Sequence, residues 1–215
     1  EHTARLLAKR GYDVGLFARS TEYLQTIATE IQTEKGGNAI GVEVDLTNQA
    51  DISDGFEQVR NEFGSIDVYI HNPDYTPERS RDAIDIDLDS FRANWELKAK
   101  ALYLCTQEVL PVMLERGGTI IVTGSAYGRR AQGKYPAYES AAMAARGFLR
   151  SVAKVHAEDA IQCTYVVIDS AVDPEDSDAI HPQYIARQFA NLAEQDRSGR
   201  INEIEIRGPT DTFKL

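Results

Sequence analysis

The chain has 215 residues, 42% of them hydrophobic, enough to bury one substantial core and too few for two large domains, so a single domain spanning 1–215 is expected. A formal net charge of −11 sets most of the surface against the phosphate backbone of nucleic acid and argues against that class of partner. Cys105 and Cys163 are the two cysteines, each inside an apolar periodic run where reduced, buried thiols are usual, so no disulfide is expected.

Helical and strand patterns alternate from end to end. His2 to Arg10 reads as an amphipathic helix stopped by Gly11, followed by a strand at Asp13 to Phe17. A helix from Thr21 to Glu34 ends at Gly36-Gly37, and a strand at Ala39 to Val44 leads to Asp45. A helix at Gln49 to Phe63 and a strand at Val68 to His71 come next, then a polar, loop-like stretch from Asn72 to Asp87. One long helix is predicted from Asp89 to Arg116, with Pro111 tolerated near its end. Thr119 to Thr123 is a short β-rich run of the kind buried in parallel sheets, halted by Gly124 and Ser125. From Tyr138 a helix with a small-residue face follows, through Ala141, Ala142, Ala145 and Leu149. The last third gives a strand at Cys163 to Ile168, a loop through Asp178, a helix at Pro182 to Glu194 and a strand at Ile201 to Ile206. This alternation predicts an α/β fold, a doubly wound parallel sheet with helices on both faces in three α/β/α layers. No apolar stretch approaches the roughly 20 residues that span a bilayer, and no signal sequence precedes the first helix, so a cytoplasmic protein without a membrane partner is expected.

The most informative stretch is Thr119 to Phe148. A buried strand ends at Ser125, and Tyr138 follows thirteen residues later at the start of a helix. Ligands of open α/β sheets gather at such strand ends, so the hydroxyl and the phenol can face one bound oxygen, a pairing suited to a carbonyl or an alcohol. Here the chain resembles the short-chain dehydrogenase/reductase family, whose pattern has a serine after this strand and then a Tyr-x-x-x-Lys helix. Ser125 and Tyr138 fall on the family's catalytic serine and tyrosine at the usual separation, while Ala142 stands where the family has its lysine.

The resemblance implies the rest of the site. An unassisted phenol has a pKa of about 10, too high for an efficient base near neutrality, and the family lysine supplies the cation that lowers it. Lys98 lies where the family has an asparagine on the long helix and is the candidate replacement, the alternative being a surface lysine on a helix flank. At the end of the second family strand an acidic residue would bind both ribose hydroxyls of NAD, but that place holds Ala18, followed by Arg19 and Ser20. A guanidinium there suits a 2′-phosphate, which favours NADP over NAD, unless Arg19 only caps the strand in solvent. Asp45 and Leu46 match the adenine contacts, although Asp45 could equally cap the helix beginning near Gln49. Asn72, in His71-Asn72-Pro73-Asp74, replaces part of an Asn-Asn-Ala-Gly segment, and Asp169 and Val172 lie in the segment near the nicotinamide amide.

Asp173 to His181 is the family's substrate-lid region and is acidic here, which argues against a highly anionic substrate. No metal is expected, because His71, His156 and His181 have no ligand spacing. Family members often pair the long helix and the tyrosine helix across subunits, implying a homodimer or homotetramer. The family's first strand and Gly-x-x-x-Gly-x-Gly turn have no counterpart, since Glu1 to Gly11 corresponds to the helix that follows them. A truncated or partly recorded chain is expected, with apolar edges on the two neighbouring strands and weakened dinucleotide binding. Two functions follow: an NADP-dependent oxidoreductase acting on a small carbonyl or secondary alcohol, or a catalytically inactive relative that keeps the fold for binding or assembly.

Overall fold

The computed structural model describes residues 1–34, 36–74 and 82–210. Its elements are α1 (His2–Lys9), β1 (Val14–Ala18), α2 (Thr21–Thr33), β2 (Ala39–Glu43), α3 (Gln49–Phe63), β3 (Val68–His71), α4 (Leu88–Trp95), α5 (Ala101–Arg116), β4 (Gly118–Ser125), α6 (Pro136–Val155), β5 (Ile161–Asp169), α7 (Pro182–Ala193) and β6 (Glu203–Arg207). Strand–helix alternation makes every pairing a crossover, and all the ladders are parallel.

The sheet is in two parts. β1 pairs with β2, and β3, β4, β5 and β6 pair in that order, while among the described residues no strand joins β1 to β3. That break lies where the family's first strand would pair. Helix α3 ties the two parts together through one aromatic line, because Phe56 packs edge-on against Phe17 of β1 at 5.0 Å and against Tyr69 of β3 at 5.8 Å. The period-two alternation of β4 sorts the core into layers. Ile120 and Val122 join Val109, Met113, Leu149 and Val152 on the side of α3, α5 and α6, while Ile121 joins Val166, Phe189 and Leu192 on the side of α7.

The helix ends follow local chemistry. Gly11 turns the chain out of α1 at φ +93. Gly37 donates to the Ala8 carbonyl at 2.7 Å and passes so near Tyr12 that an added Cβ would lie 1.8 Å from its carbonyl oxygen. Thus the Gly36-Gly37 pair, expected to end α2, also admits the chain beside the end of α1. Asn48, and not Asp45, caps α3 through its side chain, and Asp45 instead accepts from Thr47 N at 2.9 Å and Thr47 Oγ1 at 2.8 Å in a tight turn.

The helix expected from Asp89 to Arg116 is interrupted. A π turn at Glu96–Lys100 separates α4 from α5, marked by the Ala101 N–H bonding back to the Glu96 carbonyl. The segment contains neither proline nor glycine, so its sequence carries no breaker signal, and the extra residue rotates Lys98 inward until it is buried. Of the stretch expected to be a loop, Ala83–Asp85 forms a short 3₁₀ turn and residues 75–81 lie outside the described residues. No helix among the described residues is long and apolar enough to cross a membrane.

Candidate active site

Ser125 is the last residue of β4, in register with Ile168 of β5, and the neighbouring strands end at the same edge of their sheets. Proline at the first position of α6 presets the helical backbone, and Ala137, Ala141, Ala142 and Ala145 let the helix lie close on the sheet. This brings the Tyr138 hydroxyl to 3.4 Å from Ser125 Oγ. Trp95 Nε1 donates to Ser140 Oγ at 3.1 Å and fastens α4 to the same helix.

Lys98 completes a trio. Its ammonium lies 4.3 Å from the centroid of the Tyr138 ring and 2.9 Å from Asp74 Oδ1. The lysine is therefore a buried cation over the phenol rather than a residue on a solvent flank, and its carboxylate partner is largely exposed. Ala142, at the family lysine position, is buried against the turn at Gly128.

Two side chains not singled out by sequence support this trio from beneath. Tyr165 of β5 is fully buried, and a Cβ at Gly124 or Gly128 would fall 2.1 Å from its hydroxyl oxygen. The two glycines make a slot for this ring at the strand end. Burial pushes the Tyr165 phenol well above its ordinary range, with a smaller opposing effect from a backbone hydrogen bond to Ser125, so it stays neutral and braces the serine through its main chain. His71 ends β3 with Nδ1 2.6 Å from the Tyr69 hydroxyl, which in turn contacts the Cys105 thiol. Burial first, and the Lys98 charge second, lower the His71 pKa to about 3, so its ring is neutral across the working range. In a strand pattern both aromatic residues look like core, and only the partners reveal otherwise.

The remaining sequence-predicted residues sit along the same strand ends. Arg19 and Ser20 follow β1 and are exposed. Among the described residues Arg19 makes no hydrogen bond or ion pair, and Ser20 precedes α2 without a side-chain capping bond. An uncommitted guanidinium and hydroxyl at a helix N-terminus fit a phosphate. The nearby Glu43 carboxylate is occupied by the Thr21 hydroxyl. Asp45 and Leu46 follow β2, and Asn72 follows β3 and is exposed. Asp169 ends β5 and pairs with Arg207 at 3.1 Å, which engages it in an ionic cluster. Val172 forms an isolated parallel bridge with Ile180 that closes the acidic loop, and its side chain is exposed. Among the described residues no cluster of three His, Cys, Asp or Glu side chains could hold a metal ion.

Residues 1–174 match the short chain dehydrogenase family. The chain belongs to that family. An uncharacterized oxidoreductase of Staphylococcus aureus is 24% identical over 96% of the chain and 91% of the relative. A 3-oxoacyl-[acyl-carrier-protein] reductase of Synechocystis is 29% identical over 71% of the chain and 61% of that protein. Among solved structures, an alcohol dehydrogenase from Thermococcus sibiricus, complexed with 5-hydroxy-NADP, superposes with TM-score 0.90 at 21% identity, covering 100% of this chain and 93% of that one. The L-sorbose reductase of Gluconobacter frateurii, complexed with NADPH and L-sorbose, gives 0.87 at 19% identity, over 96% and 90%. These two likenesses establish the short-chain dehydrogenase fold.

Replacing Tyr165 with phenylalanine preserves the ring in its glycine slot and removes the hydroxyl beside the Ser125 backbone. The expected result is nearly unchanged thermal stability with catalytic turnover reduced about tenfold. Turnover equal to wild type would show that the hydroxyl does not brace the serine.

Proposed function

We propose that this short-chain dehydrogenase is an NADP-dependent oxidoreductase interconverting a small carbonyl compound and a secondary alcohol. The observation that carries this reading is the approach of the Tyr138 hydroxyl to 3.4 Å from Ser125 Oγ, beneath a buried ammonium at a parallel strand end. A bound nicotinamide cofactor supplies or accepts the hydride. Ser125 donates a hydrogen bond to the substrate oxygen and steadies the charge that develops there. Tyr138 gives its proton to that oxygen in reduction and takes it back in oxidation. Lys98 places over the Tyr138 ring the positive charge missing at Ala142, partly offset by Asp74.

Arg19 and Ser20 would hold the 2′-phosphate, Asp45 and Leu46 the adenine side, and Asn72, Asp169 and Val172 the ribose and nicotinamide side. Ala18 offers no carboxylate to ribose hydroxyls, which is the reason to prefer NADP to NAD. The NADP-type ligands in the Thermococcus and Gluconobacter structures support that preference. The second reading, a non-catalytic relative, draws on Ala142 at the family lysine position. We read the chain as one cytoplasmic domain that assembles as a homodimer or homotetramer through α4, α5 and α6. Leu88, Phe91, Trp95 and Tyr103 are exposed along α4 and α5, and Tyr103 meets Phe148 of α6 at 6.0 Å.

Titration of the full-length protein with NADPH and NADH, followed by nicotinamide fluorescence, should show tighter binding of NADPH. Arg19→Ala should remove most of the difference, about 10-fold to 100-fold. Binding of neither nucleotide favours the scaffold reading. In alcohol oxidation, Lys98→Met should lower kcat/KM about 100-fold, because the reacting pair loses the cation beside it. Asp74→Asn should not lower it, and wild-type kcat/KM in Lys98→Met removes Lys98 from the mechanism. Light scattering should find a dimer or tetramer that Trp95→Glu dissociates, whereas a monomeric wild type would contradict the assembly.

A further inference from the structure

The segment between β4 and α6 makes one turn at Ala126–Gly128 and then a short loop that runs into the helix carrying Tyr138. Glu139, the residue after the catalytic tyrosine, is only 4% exposed. Its side chain does not reach solvent or a cation. Oε2 accepts from the backbone N–H groups of Gln132 at 3.0 Å and Gly133 at 3.2 Å, and Oε1 accepts from those of Lys134 at 3.0 Å and Tyr135 at 3.3 Å. Four successive amides thus close around one carboxylate in a nest of the kind that binds anions, but the anion here belongs to the chain itself. Burial raises the affinity of this carboxyl for a proton, and the four amides outweigh it, holding the group below the ordinary glutamate range. Gly133 at φ +67 supplies the left-handed residue that lets consecutive N–H groups point inward.

The loop so fixed ends in an aromatic cluster beside the reacting groups. The Tyr127 ring stands edge-on to Tyr135 at 5.7 Å and to Tyr138 at 5.8 Å. Tyr135 is the last loop residue and the fourth amide on the carboxylate, so the position of its ring is coupled to Glu139 through one backbone unit.

We propose that Glu139 is a positioning residue whose carboxylate, clasped by four loop amides, sets the Tyr127–Tyr135 wall against Tyr138 and so fixes how substrate meets the Ser125–Tyr138 pair. The catalytic half of this proposal rests on the oxidoreductase reading; the clasp itself does not. Release of the carboxylate frees the loop while α6, anchored by its buried alanine and leucine face, stays in place.

The test is Glu139→Gln, which keeps shape and one acceptor oxygen but turns an N–H₂ group toward amides that need an acceptor. Hydrogen exchange at residues 132–135 should quicken about tenfold, the near-ultraviolet tyrosine dichroism should change, and KM for 2,3-butanedione as probe carbonyl should rise about tenfold, with NADPH affinity unchanged. Unchanged exchange and dichroism overturn the clasp, and released exchange with unchanged KM overturns the positioning role. If the glutamine variant does not fold, Glu139→Asp, which keeps the charge but withdraws it by one methylene, is expected to show the same changes in smaller degree, and wild-type behaviour in it overturns the proposal. A wild-type protein that binds no nicotinamide and reduces no probe defeats the oxidoreductase reading alone, since exchange and dichroism still decide the clasp.

Discussion

The pairing of β4 with β5 is the constraint on which the rest of this structure depends. Eight residues of β4, from Gly118 to Ser125, run in register with Ile161 to Ile168. This ladder is long enough to carry the chain from the floor of the core to the edge where ligands bind. Because a slip of one residue would turn every side chain to the opposite face, the apolar sorting of Ile120, Ile121 and Val122 fixes where Ser125 emerges. Gly124 and Tyr165 then lock that end, since the ring occupies the space a side chain at 124 would need.

The electrostatics of the site depart from a simple lysine–tyrosine pair. Lys98 comes from a different element than the one bearing the phenol, and its inward direction depends on a π turn. Burying an ammonium costs several kcal/mol unless it is partnered, and the ion pair to Asp74 together with the ring face meets that need. The partner is exposed, so the charge felt by the phenol is coupled to solvent more directly than for a lysine on the tyrosine's own helix. An uncommitted lysine over the ring would act more strongly, and Asp74 moderates it.

The acidic composition is likewise organised around the site. At the edge by β6, Arg146 forms a two-pronged pair with Glu203 at 2.8 and 3.2 Å, Arg129 reaches Glu203 and Glu205, and Arg207 joins Glu205 and Asp169. The Arg146 and Arg207 pairs are part-buried and so less screened than exposed ones, while Arg129, itself exposed, connects the turn after Ser125 to the last strand. With the Glu139 clasp, they hold both sides of the β4–α6 connection, so that connection is secured by charge where the hydrophobic core ends.

The sequence by itself determined the alternating elements, the parallel three-layer architecture, the family, and the convergence of Ser125 with Tyr138. The first two follow from periodicity, which is local and regular, and the last two from a motif that resembles the family's. Tertiary structure decided what depends on direction and on contacts between distant segments. No residue in Glu96 to Lys100 signals a π turn, yet that extra residue carries Lys98 from a helix flank to the ring of Tyr138. Asp45 was the cap candidate by composition, and backbone geometry gave that place to Asn48. Nothing in the sequence singles out Tyr165 or Glu139, because a residue's type does not state its partners. Packing gave one a glycine slot and the other four amides.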